Sequence, residues 1–195
     1  METTINLSPE IIELLAKIIN RQSSKAGSIN VGQIVTIGGI EWIVLEKMNE
    51  CFFCLSKDIL PERRTFGTFK TIYSYSNIRD WLVSKFASEL MLKTGYGSLL
   101  PTKFIAGYDD DGKPFGIIND MVRLLTVEEY TRYKGIILPH YTNDEWWLAS
   151  VSDEPLTLDS PLVVGSTNKD AYHFLNNIPC GVRPCCMFNY SVLEE

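Results

Sequence analysis

Hydrophobic positions recur with helical spacing near the start of the chain. Ser8, Pro9 and Glu10 form a helix-start signal, because serine caps the free amides of a first turn and proline fits the first helical position. This spacing predicts an amphipathic helix within residues 1–22, and the serine- and glycine-containing stretch 23–30 predicts a flexible linker. The apolar face of the helix comprises Ile11, Ile12, Leu14, Leu15, Ile18 and Ile19.

Beyond the linker, short apolar runs separated by turn residues are typical of β-strands. Gly38 and Gly39 lie between two such runs and predict a tight hairpin. A polar turn over 108–113 contains three consecutive aspartates, but it lacks the alternating spacing of a calcium loop, so it predicts a hairpin tip. The predicted strands are 33–37, 41–46, 51–56, 99–105, 122–125, 145–150, 162–164 and 171–175, followed by a terminal segment at 181–190.

Helical spacing returns twice in this second part of the chain. Ser76 precedes one apolar helical pattern, and Thr126 with Glu129 forms a capping box before a short helix that should end by Gly135. Short strands with two or three helices, without alternating strand–helix units, predict an α+β domain over residues 31–195.

Composition narrows the classes of function. The chain has 195 residues, of which 45% are hydrophobic and 22% charged, as in an ordinary globular domain. No apolar run is long enough to span a membrane, and the net charge of −6 disfavours nucleic acid as a direct ligand. The start of the chain lacks a basic signal-peptide region, so we expect a cytoplasmic protein whose five cysteines are reduced thiols.

Two adjacent tryptophans, Trp146 and Trp147, lie in a strand-like run, and a later segment brings Arg183. Successive side chains of a strand face opposite sides of the sheet. We therefore expect one indole to seal the core and the other to lie against a second layer or to line a groove. The guanidinium of Arg183 should lie near that layer.

Five short motifs follow one another between residues 31 and 190. They are Gly-x-x-Trp-x-Val-Leu at 39–45, Ser-x-Ile-Arg-x-Trp-Leu at 76–82, Leu-Leu-Thr-x-Glu-Glu-Tyr at 124–130, Trp-Trp-Leu-x-Ser at 146–150 and Gly-Val-Arg-Pro at 181–184. This order resembles a bacterial domain family of unknown function that is common in Firmicutes and their prophages. The resemblance does not cover the first helix.

The closing arginine segment after a tryptophan-bearing strand is also similar to C-type-lectin-like domains, which include formylglycine-generating enzymes and phage receptor-binding proteins. Together the resemblances imply a phage or prophage protein with a C-type-lectin-like arrangement of short antiparallel strands and two or three helices. They do not imply an activity, because one fold carries many functions.

Candidate catalytic and metal-binding residues form no strong pattern. Cys51 and Cys54 have the spacing of a zinc ligand pair, but they fall in an apolar strand, so we predict buried structural thiols, no metal site and no cofactor. His173 alternates with aromatic residues on a strand and is interpreted as structural, whereas His140 in a loop is a weak binding candidate. The chain contains no motif that pairs a nucleophile with a base, so no catalytic residue is predicted.

Arg79 and Arg183 are the basic residues of the motifs. A buried guanidinium needs a carboxylate or several carbonyl oxygens, because it cannot lose its charge. One interpretation is that Arg183 ties the last strand to a loop; the other is that it captures an anionic group beside Trp147. The acids that could pair with it are Asp80, Asp144 and Glu145.

These observations predict a non-catalytic binding protein with a protein partner and a groove formed by the loops 57–75, 107–120 and 150–160. A narrower alternative is an inhibitor of a host defence system, comparable to an anti-CRISPR protein, and a rival is an enzyme on a lectin-like scaffold. The helix at 8–22 could pair in a homodimer, fold back on the domain or dock on a partner. The candidate binding residues are Trp146, Trp147, Arg183, Arg79, Tyr108 and His140.

Overall fold

The computed structural model describes residues 8–26, 28–67, 72–108, 113–140, 144–151, 160–167 and 169–193. These parts of the chain form a mixed α+β structure in which every strand pair of the sheets is antiparallel. No helix within the described ranges is long and apolar enough to cross a membrane.

The helices that follow Ser76 and Thr126 begin where the sequence places their caps. Ser76 accepts a hydrogen bond from the amide of Arg79, and Thr126 forms the predicted capping box with Glu129. The first helix continues beyond residue 22, so the prediction of a linker over all of 23–30 is wrong. The helices are α1 Pro9–Ala26, α2 Asn77–Trp81, α3 Ala87–Thr94 and α4 Val127–Ile137; a π-helical turn, Leu82–Phe86, joins α2 to α3, and 3-10 turns span Tyr73–Tyr75, Leu138–His140 and Tyr190–Leu193.

The strands of the described ranges form three sheets. The largest has the order β1-β2-β3-β11-β4, and β7 also pairs with β11; the others are β10-β9-β8 and the hairpin β5-β6. The strand nearest the chain end therefore lies inside the main sheet. The strands are β1 Ile34–Ile37, β2 Ile40–Lys47, β3 Cys51–Ser56, β4 Leu99–Leu100, β5 Thr102–Phe104, β6 Ile118–Asp120, β7 Val122–Arg123, β8 Trp146–Val151, β9 Pro161–Val164, β10 Ala171–His173 and β11 Cys185–Asn189.

Alternation along the central strands builds a hydrophobic core on each face of the main sheet. On β2, Trp42 and Val44 contribute to one core, and Ile43 and Leu45 to the other. The first core also contains side chains of the α2–α3 segment, and the second contains side chains of α4. The central strands carry apolar side chains on both sides because each side faces a core.

The tryptophan pair and the Gly-Val-Arg-Pro segment meet, as predicted. The Gly181 amide donates to the Glu145 carbonyl oxygen at 3.0 Å, and the Trp147 amide donates to the Gly181 carbonyl oxygen at 3.0 Å. A Cβ atom at position 181 would lie 2.5 Å from the Glu145 carbonyl oxygen. The backbones at positions 145 and 181 are therefore so close that only glycine fits at position 181.

We expect Gly181→Ala to lower the free energy of unfolding by about 2 kcal/mol, because the added methyl group overpacks this junction. The matched control is Gly135→Ala in α4, where a Cβ atom meets nothing within 4 Å. That change should stabilise the protein by about 0.5–1 kcal/mol, since alanine favours a helix interior. Urea unfolding of both variants measures these shifts, and equal stabilities would contradict the assigned close approach.

Candidate functional site

Two adjoining cavities of the described surface lie around the β5–β6 hairpin. A cavity of about 460 Å³ and a smaller one of about 130 Å³ share the side chain of Ile117, and we call this surface the hairpin groove. The larger cavity is lined by Lys103, Phe104, Ile105, Tyr108, Ile117, Thr126, Glu128 and Glu129. The smaller cavity is lined by Ile72, Ser74, Tyr75, Ala106, Phe115, Gly116, Ile117 and Ile118.

The rim of the hairpin groove exposes large apolar side chains. Ile117 is 71% exposed and Tyr75 is 61% exposed, and Tyr108 and Phe115 are also classed as exposed. The adjacent Ile118 is buried, because successive residues of an extended chain point to opposite sides. The groove thus combines a packed floor with apolar residues that face solvent.

Arg79 and Asp120 hold one wall of the groove. The Arg79 guanidinium donates to both carboxylate oxygens of Asp120, each at 2.8 Å, and its Nη1 also donates to the Ser74 carbonyl oxygen at 3.0 Å. The Asp120 side chain is only 2% exposed, so the Arg79 guanidinium compensates a buried carboxylate. The hydrogen bonds that Arg79 donates to the Asp120 carboxylate raise the pKa of Arg79 above its ordinary value. This pair joins α2 and the 3-10 turn at Tyr73–Tyr75 to the end of β6.

Arg123 and Glu129 hold the opposite wall. Arg123 donates to the two carboxylate oxygens of Glu129 at 2.7 Å each, and its Nε donates to the Thr102 hydroxyl at 2.8 Å. The guanidinium carbon lies 4.4 Å from the centroid of the Phe104 ring, within cation–π range. Glu129 also accepts from the amide of Thr126, which fixes the first turn of α4.

Thr102 connects the two ion pairs. Its hydroxyl accepts from Arg123 and donates to the Asp120 carbonyl oxygen at 3.3 Å. The hairpin is therefore anchored to α2 on one side and to α4 on the other by charge-assisted hydrogen bonds. The loops 57–75 and 107–120, which were predicted to form a groove, do contribute described residues to the smaller cavity; of the loop 150–160, residues 152–159 lie outside the described residues.

The prediction that Trp146 or Trp147 lines a groove is wrong, because both side chains are fully buried. They do face opposite sides, as expected: Trp146 belongs to the core with Tyr130, and Trp147 packs in the other core against Phe66 and Phe174. Neither indole can contact a partner in this conformation.

Arg183 is also fully buried, so it cannot capture an anion from solvent. Its guanidinium lies 5.0 Å from the centroid of the Trp146 ring. It donates to the carbonyl oxygens of Ser56 and Lys57 at 3.0 and 2.7 Å. The interpretation that it ties the last strand to a loop is confirmed, and these carbonyl oxygens supply the contacts that were expected from Asp80, Asp144 or Glu145.

The three remaining candidate binding residues lie in different places. Tyr108 lines the larger cavity, and Arg79 holds one wall of the groove through Asp120. His140 lies in the 3-10 turn after α4, at the opposite end of that helix from Thr126, and it is not brought to the groove. Sequence reasoning missed Phe115 and Ile117, whose signal was an apolar pair inside a segment interpreted only as a loop.

The cysteines are free thiols, and Cys51 is the one that is not buried. Burial raises the pKa of Cys185 to about 12 and that of Cys180 to about 12. Since the thiolate is the reactive form, these residues are poor nucleophiles and poor metal ligands at neutral pH. Within the described ranges, no group of three or more histidine, cysteine or acidic side chains is placed to hold a metal ion.

A search of family models, of curated proteins and of solved structures found no match to the chain. The resemblance to the prophage domain family therefore stays a prediction.

We expect a thiol reagent at mildly alkaline pH to modify one cysteine per folded chain, Cys51, and all five after unfolding in guanidinium. Burial also raises the pKa of Cys51, so its reaction should accelerate as the pH rises. Cys51→Ser should abolish the native reaction. Rapid modification of two or more thiols in the folded wild type would show that the cores open readily.

A double-mutant cycle on Arg79→Ala and Asp120→Ala should give a coupling free energy of about 2 kcal/mol, since either single change leaves a charge without its partner. The control cycle uses Arg63 and Asp144, an ion pair whose side chains are 46% and 45% exposed. Its coupling should stay below about 1 kcal/mol. Equal couplings in urea unfolding would mean that the Arg79 pair does not hold the wall.

Proposed function

We propose that this protein is a non-catalytic recognition protein that binds a protein partner through the hairpin groove. The observation that carries the proposal is the group of exposed large apolar side chains around two adjoining cavities: Tyr75, Tyr108, Phe115 and Ile117. Single exposed apolar residues are ordinary, but a contiguous group at a concave surface is typical of an interaction site.

The dimensions of the groove fit side chains of a partner. An apolar cavity of about 150 Å³ can hold a benzene ring, so the smaller cavity, at about 130 Å³, fits a single aliphatic or small aromatic side chain. The larger cavity carries Lys103 and Glu128 on its lining, beside Phe104 and Ile105. An apolar centre with charged residues at its edge is the usual composition of a protein–protein interface.

The support beneath the groove also favours recognition. The ion pairs of Arg79 and Arg123 fix the walls before any ligand binds, which lowers the conformational entropy lost on binding. The described linings of the two cavities contain neither histidine nor cysteine. The carboxylate of Glu129 is already engaged by Arg123 and by a backbone amide. This arrangement favours binding over the alternative of an enzyme on a lectin-like scaffold.

The proposal also includes the phage or prophage origin that the motifs imply. In it, the chain is a phage or prophage protein with a C-type-lectin-like architecture, and a narrower form has a host defence protein as the partner, as for an anti-CRISPR protein. The support for this origin is the order of the five motifs between residues 31 and 190.

A photo-crosslinking amino acid at Tyr108 or Phe115 tests the proposal in a lysate of the organism that carries the gene. Both positions should crosslink to the same protein, because they border the same groove. Ile117→Asp should reduce that crosslinking at least tenfold, since a carboxylate would replace the apolar residue that the two cavities share.

The matched control places the crosslinker at Tyr96, which is 87% exposed but lies outside the groove linings. It should not capture that protein. Equal capture from Tyr96, or capture that is unchanged by Ile117→Asp, would contradict recognition through the groove.

A further inference from the structure

Helix α1 carries apolar residues that the rest of the described chain leaves in solvent. Ile11, Ile12, Leu14 and Leu15 are between 42% and 58% exposed, although they occupy consecutive turns of one face. The helix approaches the 3-10 turn Tyr190–Leu193 of its own chain, but this contact leaves those four side chains exposed. Four large apolar residues exposed on one helix face require a partner surface.

The sequence of the helix is symmetric in its apolar pattern. Read outward from Leu15, isoleucine occurs at positions 11 and 19 and again at 12 and 18, and apolar residues occur at 14 and 16. Positions 13 and 17 are both charged, Glu13 and Lys17. A pattern that reads the same in both directions matches a second copy of itself when that copy runs antiparallel.

The charges of the helix are not symmetric, because their sign changes from one end of the helix to the other. Glu10 and Glu13 lie on the N-terminal side of Leu15, and Lys17, Arg21 and Lys25 lie on its C-terminal side. In an antiparallel pair, the acidic half of each copy lies beside the basic half of the other, whereas a parallel pair would place like charges together. Opposite ends of the two helix dipoles also meet in the antiparallel arrangement.

We propose that α1 pairs with the α1 helix of a second copy of this chain, antiparallel, about a two-fold axis near Leu15. Such an isologous contact uses the same surface on both copies. At 100° per residue, Glu10 and position 21 lie on the same flank of the helix, about 120° and 100° from the centre of the apolar face. The pairing therefore sets Glu10 of each copy opposite Arg21 of the other. Glu13 lies on the far side of the helix from Leu15 and takes no part in the contact.

Sedimentation velocity over micromolar concentrations tests the pairing directly. The full chain should reach twice the mass of its 22.1 kDa monomer, and Leu15→Glu should remain monomeric because it places two carboxylates at the axis. Leu92→Glu is the matched control, since Leu92 is a leucine exposed to 75% on another helix. A wild type that stays monomeric, or a Leu15→Glu variant that dimerises like the wild type, would overturn the proposal.

Charge reversal tests the predicted edge contact without changing the apolar face. Glu10→Lys and Arg21→Glu should each weaken dimerisation about tenfold at low salt, and an equimolar mixture of the two should recover it as a heterodimer. Glu13→Lys makes the same charge change on the outward side and should have a much smaller effect. No recovery in the mixture would overturn the assigned contact, because residues 10 and 21 are too far apart to interact within one helix.

Oxidative crosslinking decides the orientation. Leu15→Cys lies at the axis and should form a disulfide-linked dimer with diamide, whereas Ile11→Cys should not, since residue 11 of one copy faces residue 19 of the other. Wild type supplies the background from its own thiols. Equal crosslinking of both variants would show a parallel pair and would overturn the antiparallel arrangement.

Discussion

Two arginine–carboxylate pairs attach the β5–β6 hairpin to the rest of the protein. A two-stranded hairpin is marginally stable alone, so it needs contacts outside itself. Arg79 and Arg123 provide them by bidentate hydrogen bonds to Asp120 and Glu129, with Thr102 joining the two pairs. The cost of burying these charges is offset because each guanidinium also reaches a carbonyl oxygen.

This attachment explains why an apolar surface can persist in solvent. If the hairpin were free, Ile117 and Phe115 could fold inward and cover the apolar lining of the cavities. With both walls fixed, the backbone cannot turn these residues into the core, which is already filled by Phe104 and Ile118. The same polar contacts therefore stabilise the fold and keep the proposed recognition residues available to a partner.

Features that depend on neighbouring residues could be predicted from the sequence, and features that depend on distant pairing could not. The Gly38–Gly39 hairpin and the Thr126 capping box follow from local backbone chemistry, and both are confirmed. The partner of Arg79 lies 41 positions away, and no local pattern points to Asp120. The two tryptophans show the same limit. Alternation predicted that the rings face opposite sides, but the burial of both rings depends on two cores whose residues come from distant parts of the chain.

Hydrogen–deuterium exchange on Arg79→Ala is the most direct measurement of whether these pairs hold the hairpin. In this variant, the amides of Thr102–Phe104 and Ile118–Asp120 should exchange much faster than in the wild type, while those of Ile40–Lys47 and Cys185–Asn189 keep their protection. Unchanged exchange in the hairpin would contradict this role of the pairs, as would a uniform loss of protection across the whole protein.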